Sequence, residues 1–436
     1  MQWELHVSRA RIQNDLPTFS LRPGYLLIDY HKTLTRVSNI MSRASVEVSI
    51  APDVFRWLCG TSGWPAKDIA KRIEVPEDEV RSWCEGKTPP VLPLTKVEKL
   101  SEAFKRPLAA FLLSKPPEEI KTLPDFRKLP EVREGFSKET LLAIRKARRL
   151  QKVRRDLMEN LSQDFRVDIR NRTISDNPES VANDERIDVP VTLDQIRMST
   201  PTKLFPVWRE WFEQKNIMVL QMKMPVEDAR GFSLTDAEPF VIVVNESDAP
   251  NAKLFTLFHE YGHILLNESA VCNMDSSEVT DGRVRRIERW CNQFAGAFLV
   301  PEDFLKKELA IDTLIRTTQF SRIAALIASR LKISKESALM RLLTLEYITP
   351  AQFRSERDKI RTDALAVKER ARERQKLSAK KGGPAIPLDK KCFEEKGQQF
   401  VSLVLKNSDL GHITSRDALD YLDIKMKNLE NLRAKS

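Results

Sequence analysis

The sequence lacks the features that mark membrane and secreted proteins. It has no apolar run of about 18 residues, the length that a membrane-spanning helix needs, and its N-terminal region has no apolar core of a secretory signal. Only five cysteines are present, an odd number without paired spacing: Cys59, Cys84, Cys272, Cys291 and Cys392. We therefore expect a cytoplasmic protein with reduced thiols and no membrane partner.

Histidine is also scarce, with five in 436 residues, and two of these lie four residues apart in His259-Glu260-Tyr261-Gly262-His263. Positions i and i+4 of a helix share a face, so both imidazoles can bind one ion. The glutamate lies beside that ion, where it can take a proton from a bound water instead of ligating. The pattern predicts zinc ligands at His259 and His263 and a general base at Glu260.

A catalytic zinc site keeps three protein ligands and one open position. Glu288 lies on a second predicted helix, whose face continues through Asn292, Ala295 and Leu299. We predict that Glu288 is the third ligand and that Asn292 orients a metal-bound histidine by a hydrogen bond. The alternative for Glu288 is an ordinary solvent-exposed helix charge.

The residues around these positions resemble the ImmA/IrrE family of metallo-endopeptidases. The matching stretches are L-F-T-L-F-H-E-Y-G-H at 254–263, E-R-W-C-N-Q-F-A at 288–295 and L-V-P at 299–301. Cys291 and Val300 stand where the family usually has alanine and methionine. The resemblance implies a zincin-like fold, zinc (or manganese) held by His259, His263 and Glu288, and Glu260 as the catalyst of peptide hydrolysis.

The apolar patterns predict a mostly helical α+β chain. Ser137 is expected to cap a helix that runs to about Leu161, residues 163–200 are expected to be loop, and strands are expected at 217–224, 231–234 and 239–245. The last strand could bind substrate along its edge, although such a strand is more often core. Met41 is the expected natural start.

Six regions are predicted. They are an extension of uncertain role at 1–44, a helix-turn-helix domain at 45–116, a basic helical connector at 117–185, the metallopeptidase domain with a small mixed sheet at 186–305, a helical region with a charged linker at 306–380, and a small C-terminal helical unit at 381–436.

Residues 50–115 resemble an Xre/Cro-type helix-turn-helix domain, which is often fused to this peptidase family. The predicted recognition helix, however, begins with Glu77, Asp78 and Glu79, where DNA phosphates would require basic residues. The domain could therefore bind DNA or hold a partner protein. The candidate contacts are Lys67, Lys71, Arg81 and Lys87, together with Arg145, Arg148, Arg149 and Lys152 in the basic connector, although a basic run is commonly a solvated helix face.

Two hypotheses follow. In the first, the chain is a regulatory zinc endopeptidase that cleaves a helix-turn-helix repressor, in stress response or in mobile-element or toxin–antitoxin control, as the resemblance implies. In the second, it is a DNA-binding transcriptional regulator or antitoxin-like protein that uses the protease fold for binding. The complete ligand set favours the first hypothesis.

Overall fold

The computed structural model of the chain describes residues 46–117, 136–268, 270–272, 282–378 and 387–434. The predicted extension at 1–44 lies outside these residues. The described chain is mostly helical with two small sheets, which confirms the predicted fold class. Among the described helices, none is long and apolar enough to cross a membrane.

The N-terminal domain has its own core. Its elements are β1 (Glu47–Ser49), α1 (Pro52–Ser62), α2 (Ala66–Ile73), α3 (Glu77–Cys84), β2 (Val91–Pro93), α4 (Leu94–Phe104) and a 3-10 turn at Leu108–Leu112. The four helices agree with the apolar pattern. The pairing of β1 with β2 was not predicted, because three residues are too few to show a strand period.

The connector contains α5 (Lys138–Asn160), and the Ser137 side chain accepts a hydrogen bond from the Thr140 backbone amide, so the predicted cap is correct. The loop predicted over 163–200 is wrong in part, because α6 (Pro178–Glu185) and α7 (Leu193–Met198) lie within it. Both helices are too short to show a helical period of apolar residues. The sequence marks them only by their N-caps, which are Asn177 before α6 and the Thr192–Gln195 capping box of α7.

A four-stranded sheet follows α8 (Pro201–Gln214). Its strands are β3 (Met218–Met222), β4 (Gly231–Leu234), β5 (Val241–Asn245) and β6 (Ala270–Cys272), in the order β3-β5-β4-β6. β3 runs parallel to β5, whereas β4 is antiparallel to both β5 and β6. Both edges of β5 are thus paired inside the sheet, which rules out substrate binding along its edge and leaves the commoner alternative, a core strand.

The two faces of this sheet pack against different helices. On one face, Ile242 and Val244 pack with α9 (Pro250–Leu265) and α10 (Gly282–Leu299). A π-helical turn (Phe304–Glu308) and the helices α11 (Ile311–Thr317), α12 (Phe320–Leu331), α13 (Lys335–Thr344) and α14 (Pro350–Ser378) extend this core.

The other face is covered by α5 and the C-terminal helices. These are α15 (Leu388–Lys396), α16 (Gln398–Asp409), α17 (Ser415–Leu422) and α18 (Met426–Arg433). Phe232 and Val243 of the sheet share a core with Phe400 and Leu422 of these helices. The sheet is therefore buried on both faces, and its first face holds the candidate site.

Candidate metal centre

Helix α9 is fixed in place by aromatic packing on its back. Phe258 stacks on Phe298 with ring centroids 4.2 Å apart, and its ring meets Trp208 edge-on at 5.1 Å. Tyr261 packs against Phe212 at 4.9 Å, and its hydroxyl donates a 2.7 Å hydrogen bond to Glu185. This anchoring orients the opposite face of α9, which carries His259 and His263.

A glycine inside the helix lets α10 approach closely. A Cβ on Gly262 would lie 3.1 Å from the Cys291 sulfur and 3.2 Å from the Cys291 Cα. The short distance between the two helices places Glu288, almost one turn before Cys291, beside the two histidines. Cys291, which stands where the family usually has alanine, is therefore still a small residue at the point where α9 and α10 cross.

The three predicted ligands converge on one point. The Nε2 atoms of His259 and His263 lie 3.3 Å apart. Each is also 3.3 Å from one carboxylate oxygen of Glu288. Ligands of a tetrahedral zinc ion at 2.0–2.1 Å are separated by about 3.3–3.4 Å. The two nitrogens therefore have the spacing of two corners of a zinc tetrahedron, and a different oxygen of the Glu288 carboxylate lies at the same distance from each of them.

The chemistry of this donor set also fits a cation. The three side chains are buried, with at most 1% of each residue exposed. Neither oxygen of Glu288 has a hydrogen-bond partner of good geometry in the described part of the chain. A buried carboxylate without such partners is costly unless a cation compensates its charge. The two histidines and Glu288 are accordingly the residues that would hold a metal ion.

The pKa shifts of these three side chains in the metal-free site also reflect the charge of the Glu288 carboxylate. Burial by itself would lower the pKa of His259, but the Glu288 carboxylate outweighs burial and raises it. Burial would likewise raise the pKa of Glu288, yet the two histidines hold it well below its usual range. Burial lowers the pKa of His263. In the metal-free protein, a proton on His259 thus supplies the charge that a metal ion would supply.

Glu260 is fully buried and lies against the sheet. A Cβ on Gly231 of β4 would lie 3.1 Å from the Glu260 Oε1, and still closer to the Thr256 methyl group and the Val243 carbonyl. Only glycine fits at this position. We did not predict a role for Gly231; its only signal in the sequence is a glycine at the start of a strand.

Two more polar groups near this contact were not predicted. Ser233 follows Gly231 on the same face of β4, and Thr256 precedes Glu260 by about one turn on α9. Both side chains are buried, and neither hydroxyl has a hydrogen-bond partner among the residues that the structure describes. Thr256 shares with Glu260 the contact at Gly231, so its hydroxyl offers an unused donor and acceptor near that carboxylate.

Asn292 lies close enough to His259 to raise the pKa of that histidine, and the residue is 9% exposed. The Nδ1 atom of His259 has no hydrogen-bond partner among the described residues. The orienting role of Asn292 therefore stays a prediction.

The candidate DNA or partner contacts lie on α2, α3 and α5 and, for Lys87, in the turn after α3, away from α9 and α10 in the chain. Arg145 and Arg148 are half-buried and bind inside the protein: Arg145 donates a 3.0 Å hydrogen bond to the Phe104 carbonyl, and Arg148 pairs with Asp236. The remaining candidates are exposed. Three of these form ion pairs at the surface: Arg149 with Asp420, Arg81 with Glu77 at 2.8 Å, and Lys87 with Glu85 at 2.6 Å. The side chains of Lys67, Lys71 and Lys152 face solvent.

Comparison with known proteins supports the family resemblance. Residues 212–343 match the M78 peptidase family model described as the IrrE N-terminal-like domain, and this range contains His259, Glu260, His263 and Glu288. The chain is also similar to the radiation response metalloprotease IrrE of Deinococcus radiodurans, with 34% identity over 109 residues. That alignment covers 24% of this chain and 32% of the relative, so the chain spans about a third of the relative's length. The family match begins beyond the N-terminal domain.

Proposed function

We propose that this protein is a zinc-dependent endopeptidase with a regulatory role in the cytoplasm. One observation carries the proposal: two buried imidazole nitrogens lie 3.3 Å apart, and each is 3.3 Å from an oxygen of the buried Glu288 carboxylate, which is the separation of neighbouring ligands around a tetrahedral zinc ion. The match to the IrrE N-terminal-like domain supports a peptidase, and the name of the Deinococcus relative is that of a metalloprotease.

In this mechanism the bound zinc would supply a Lewis acid that activates water and polarises the scissile carbonyl. Glu260, which follows the first ligand and is not part of the cluster, takes the proton of the attacking water and later passes it to the leaving amine. The tight fit against Gly231 restricts the Glu260 carboxylate, so the base is held in place before substrate arrives.

We propose that the substrate is a helix-turn-helix repressor held by the N-terminal domain. In this domain α2 and α3 are joined by a tight turn in which Glu74 has a φ of 55°. The first turn of α3 is acidic, and Arg81 is paired with Glu77 within the same helix. This surface suits a basic protein partner better than DNA phosphates.

A DNA-binding regulator is the second candidate function. The observation that favours it is the arrangement of α2, turn and α3, in which two eight-residue helices are packed together as in a helix-turn-helix unit. A DNA complex whose affinity falls steeply with salt, formed through Lys67, Lys71 and Lys87, would support it.

The test compares the wild type with Glu260→Gln, which has nearly the same size and leaves all three ligands in place. Each purified protein is analysed for bound metal and then incubated with the helix-turn-helix repressor encoded nearest to it. We expect about one zinc per chain in both proteins, and cleavage that falls on the order of 10²–10⁴-fold in the variant. If the wild type contains manganese instead of zinc, the identity of the metal in this proposal is corrected. A wild type that binds no divalent metal would overturn the proposal.

A further inference from the structure

Helix α9 carries a buried hydroxyl group that the helix itself does not satisfy. Thr256 lies about one turn before Glu260, and only 2% of the residue is exposed. A threonine inside a helix commonly donates its hydroxyl proton to a backbone carbonyl of the preceding turn. Within the described part of the chain, the Thr256 hydroxyl has no such partner. A buried hydroxyl without a partner is costly, which points to a partner that it meets only in another state of the site.

The surroundings of Thr256 identify that partner. Positions 256 and 260 share one face of α9, and both side chains contact the same glycine of β4. A Cβ on Gly231 would lie 2.6 Å from the Thr256 methyl group and 3.1 Å from the Glu260 Oε1. The third atom at this contact is the Val243 carbonyl, which belongs to the paired backbone of β4 and β5. Glu260 is thus the charged acceptor beside this hydroxyl, and hydrogen bonds to charged groups are the strong ones.

We propose that Thr256 is a positioning residue for the general base. When the Glu260 carboxylate turns one oxygen toward the attacking water, the Thr256 hydroxyl donates a hydrogen bond to the other oxygen and fixes the rotation of the carboxylate. Gly231 leaves the space in which the two side chains meet. The inference rests on the proposed function, because Thr256 has this role only if Glu260 is the base.

A second buried threonine provides a matched comparison for a structural role. Thr140 of α5, on the other face of the sheet, is fully buried and donates a 2.7 Å hydrogen bond to the Asp228 carboxylate. Valine has nearly the shape of threonine but lacks the hydroxyl. The Thr140 hydroxyl supports the fold, so Thr140→Val should be destabilising. The Thr256 hydroxyl is held for the reaction, so Thr256→Val should cost the folded protein nothing.

The first measurement is urea unfolding of the metal-free wild type, Thr256→Val and Thr140→Val. We expect Thr140→Val to raise the unfolding equilibrium constant about tenfold or more, whereas Thr256→Val leaves it unchanged or lowers it. If Thr256→Val destabilises the protein as much as Thr140→Val does, the Thr256 hydroxyl is structural and the proposal is overturned.

The second measurement is the affinity of the zinc-loaded protein for acetohydroxamic acid. This small chelator binds zinc through two oxygens and hydrogen-bonds to a base beside the metal, so no substrate needs to be known. Thr256→Val should weaken its binding about tenfold, and Thr256→Ser, which keeps the hydroxyl, should stay within about twofold of the wild type. In the Glu260→Gln background, Thr256→Val should have little further effect, because it acts through that carboxylate.

The outcomes separate this inference from the proposed function. A wild type that binds neither zinc nor the hydroxamate rejects the metal centre, and the role of Thr256 falls with it. A wild type that binds both, with the same hydroxamate affinity in Thr256→Val, leaves the metal centre standing and rejects only the positioning role. With the repressor as substrate, Thr256→Val should lower kcat about tenfold at an unchanged KM, and a change in KM alone would contradict positioning of the base.

Discussion

Two buried clusters of ionisable side chains among the described residues differ in a way that helps to distinguish a candidate functional site from a structural one. The metal centre consists of His259, His263 and Glu288. The second cluster, which we call the clasp, consists of Arg154, Arg209 and Glu213, each at most 5% exposed. Burial and charge alone do not tell the two apart.

The clasp contains its own opposite charges, although Arg154 Nη1 and Arg209 Nε have no hydrogen-bond partner among the described residues. Arg209 donates hydrogen bonds of 2.9 and 2.8 Å to the Phe393 and Glu394 carbonyls near the end of α15. The Glu213 carboxylate, one turn further along α8, lies directly against Gly397, the N-cap of α16. A carboxylate at the N-terminus of a helix is stabilised by the helix dipole.

The metal centre, by contrast, has no fixed cation of its own. The ion pairs of Glu288 within the described ranges are with two histidines, which are charged only when protonated. A buried cluster of lone-pair donors without its own cation therefore indicates a bound metal ion. A buried cluster that contains its own guanidinium groups and contacts helix ends indicates a structural role in holding those helices together. This reasoning predicts opposite consequences for mutations in the two clusters.

The largest effect is expected for Glu288→Gln. The substitution keeps the shape of the side chain but removes the charge that balances the metal, so zinc affinity should fall on the order of 10³-fold or more. The metal-free protein should unfold at nearly the same denaturant concentration as the metal-free wild type, because a buried carboxylate is also removed. Metal analysis after dialysis and urea unfolding measure the two effects. Full zinc occupancy in this variant would show that Glu288 is not a ligand.

The converse experiment is Glu213→Ala in the clasp. It leaves two buried guanidinium groups without their carboxylate, which should lower the free energy of unfolding by about 3–5 kcal/mol. Zinc content should not change. Glu210→Ala, at an exposed position on the same helix, is the matched control and should stay within about 0.5 kcal/mol of the wild type. Equal losses in both variants would show that the clasp contributes no special stability.

The two clusters also differ in how far the sequence predicts them. The histidines and Glu260 were predicted because a spacing of four residues in one helix is a local pattern. Glu288 lies on another helix, and its assignment was strengthened by the family resemblance. Nothing in the sequence indicates that Gly262 and Cys291 set the distance between these helices, because a close approach depends on tertiary packing.

The clasp was not predicted at all. The basic run of α5 is typical of a solvated helix face, yet Arg154 in that run is buried, and Glu213 and Gly397 lie 184 residues apart in the chain. Charge patterns along one helix cannot reveal a partner on a distant segment. The fold class and the strands β3 to β5 were predicted, since apolar and β-branched runs are local, whereas the three-residue strands β1, β2 and β6 were missed for lack of length.

The pH dependence of stability should come from the clasp. Burial raises the pKa of Glu213 to about 7 in the folded protein, whereas an unfolded glutamate titrates near ~4.3. The folded state therefore binds this proton more tightly, and the resulting stabilisation is complete below about pH 4 and is lost as the pH rises through about 7. Relative to Glu213→Gln, which imitates the protonated form, the metal-free wild type should lose up to about 3 kcal/mol between pH 4 and pH 8. A constant difference in urea unfolding free energy across this range would show that Glu213 does not titrate there.

The smallest effect is expected for Asn292→Ala, which tests whether the metal centre needs support from a neutral neighbour. Asn292 lies close enough to His259 to raise its pKa and carries no charge, so its loss leaves the ligand set complete but removes a polar neighbour that would restrain the His259 ring. Zinc affinity, measured by competition with a chromogenic chelator, should weaken about 10–100-fold. Gln293→Ala, at the next position and on a different side of α10, is the matched control. If both variants bind zinc like the wild type, packing alone orients His259, and the contrast between the clusters rests on the ligands themselves.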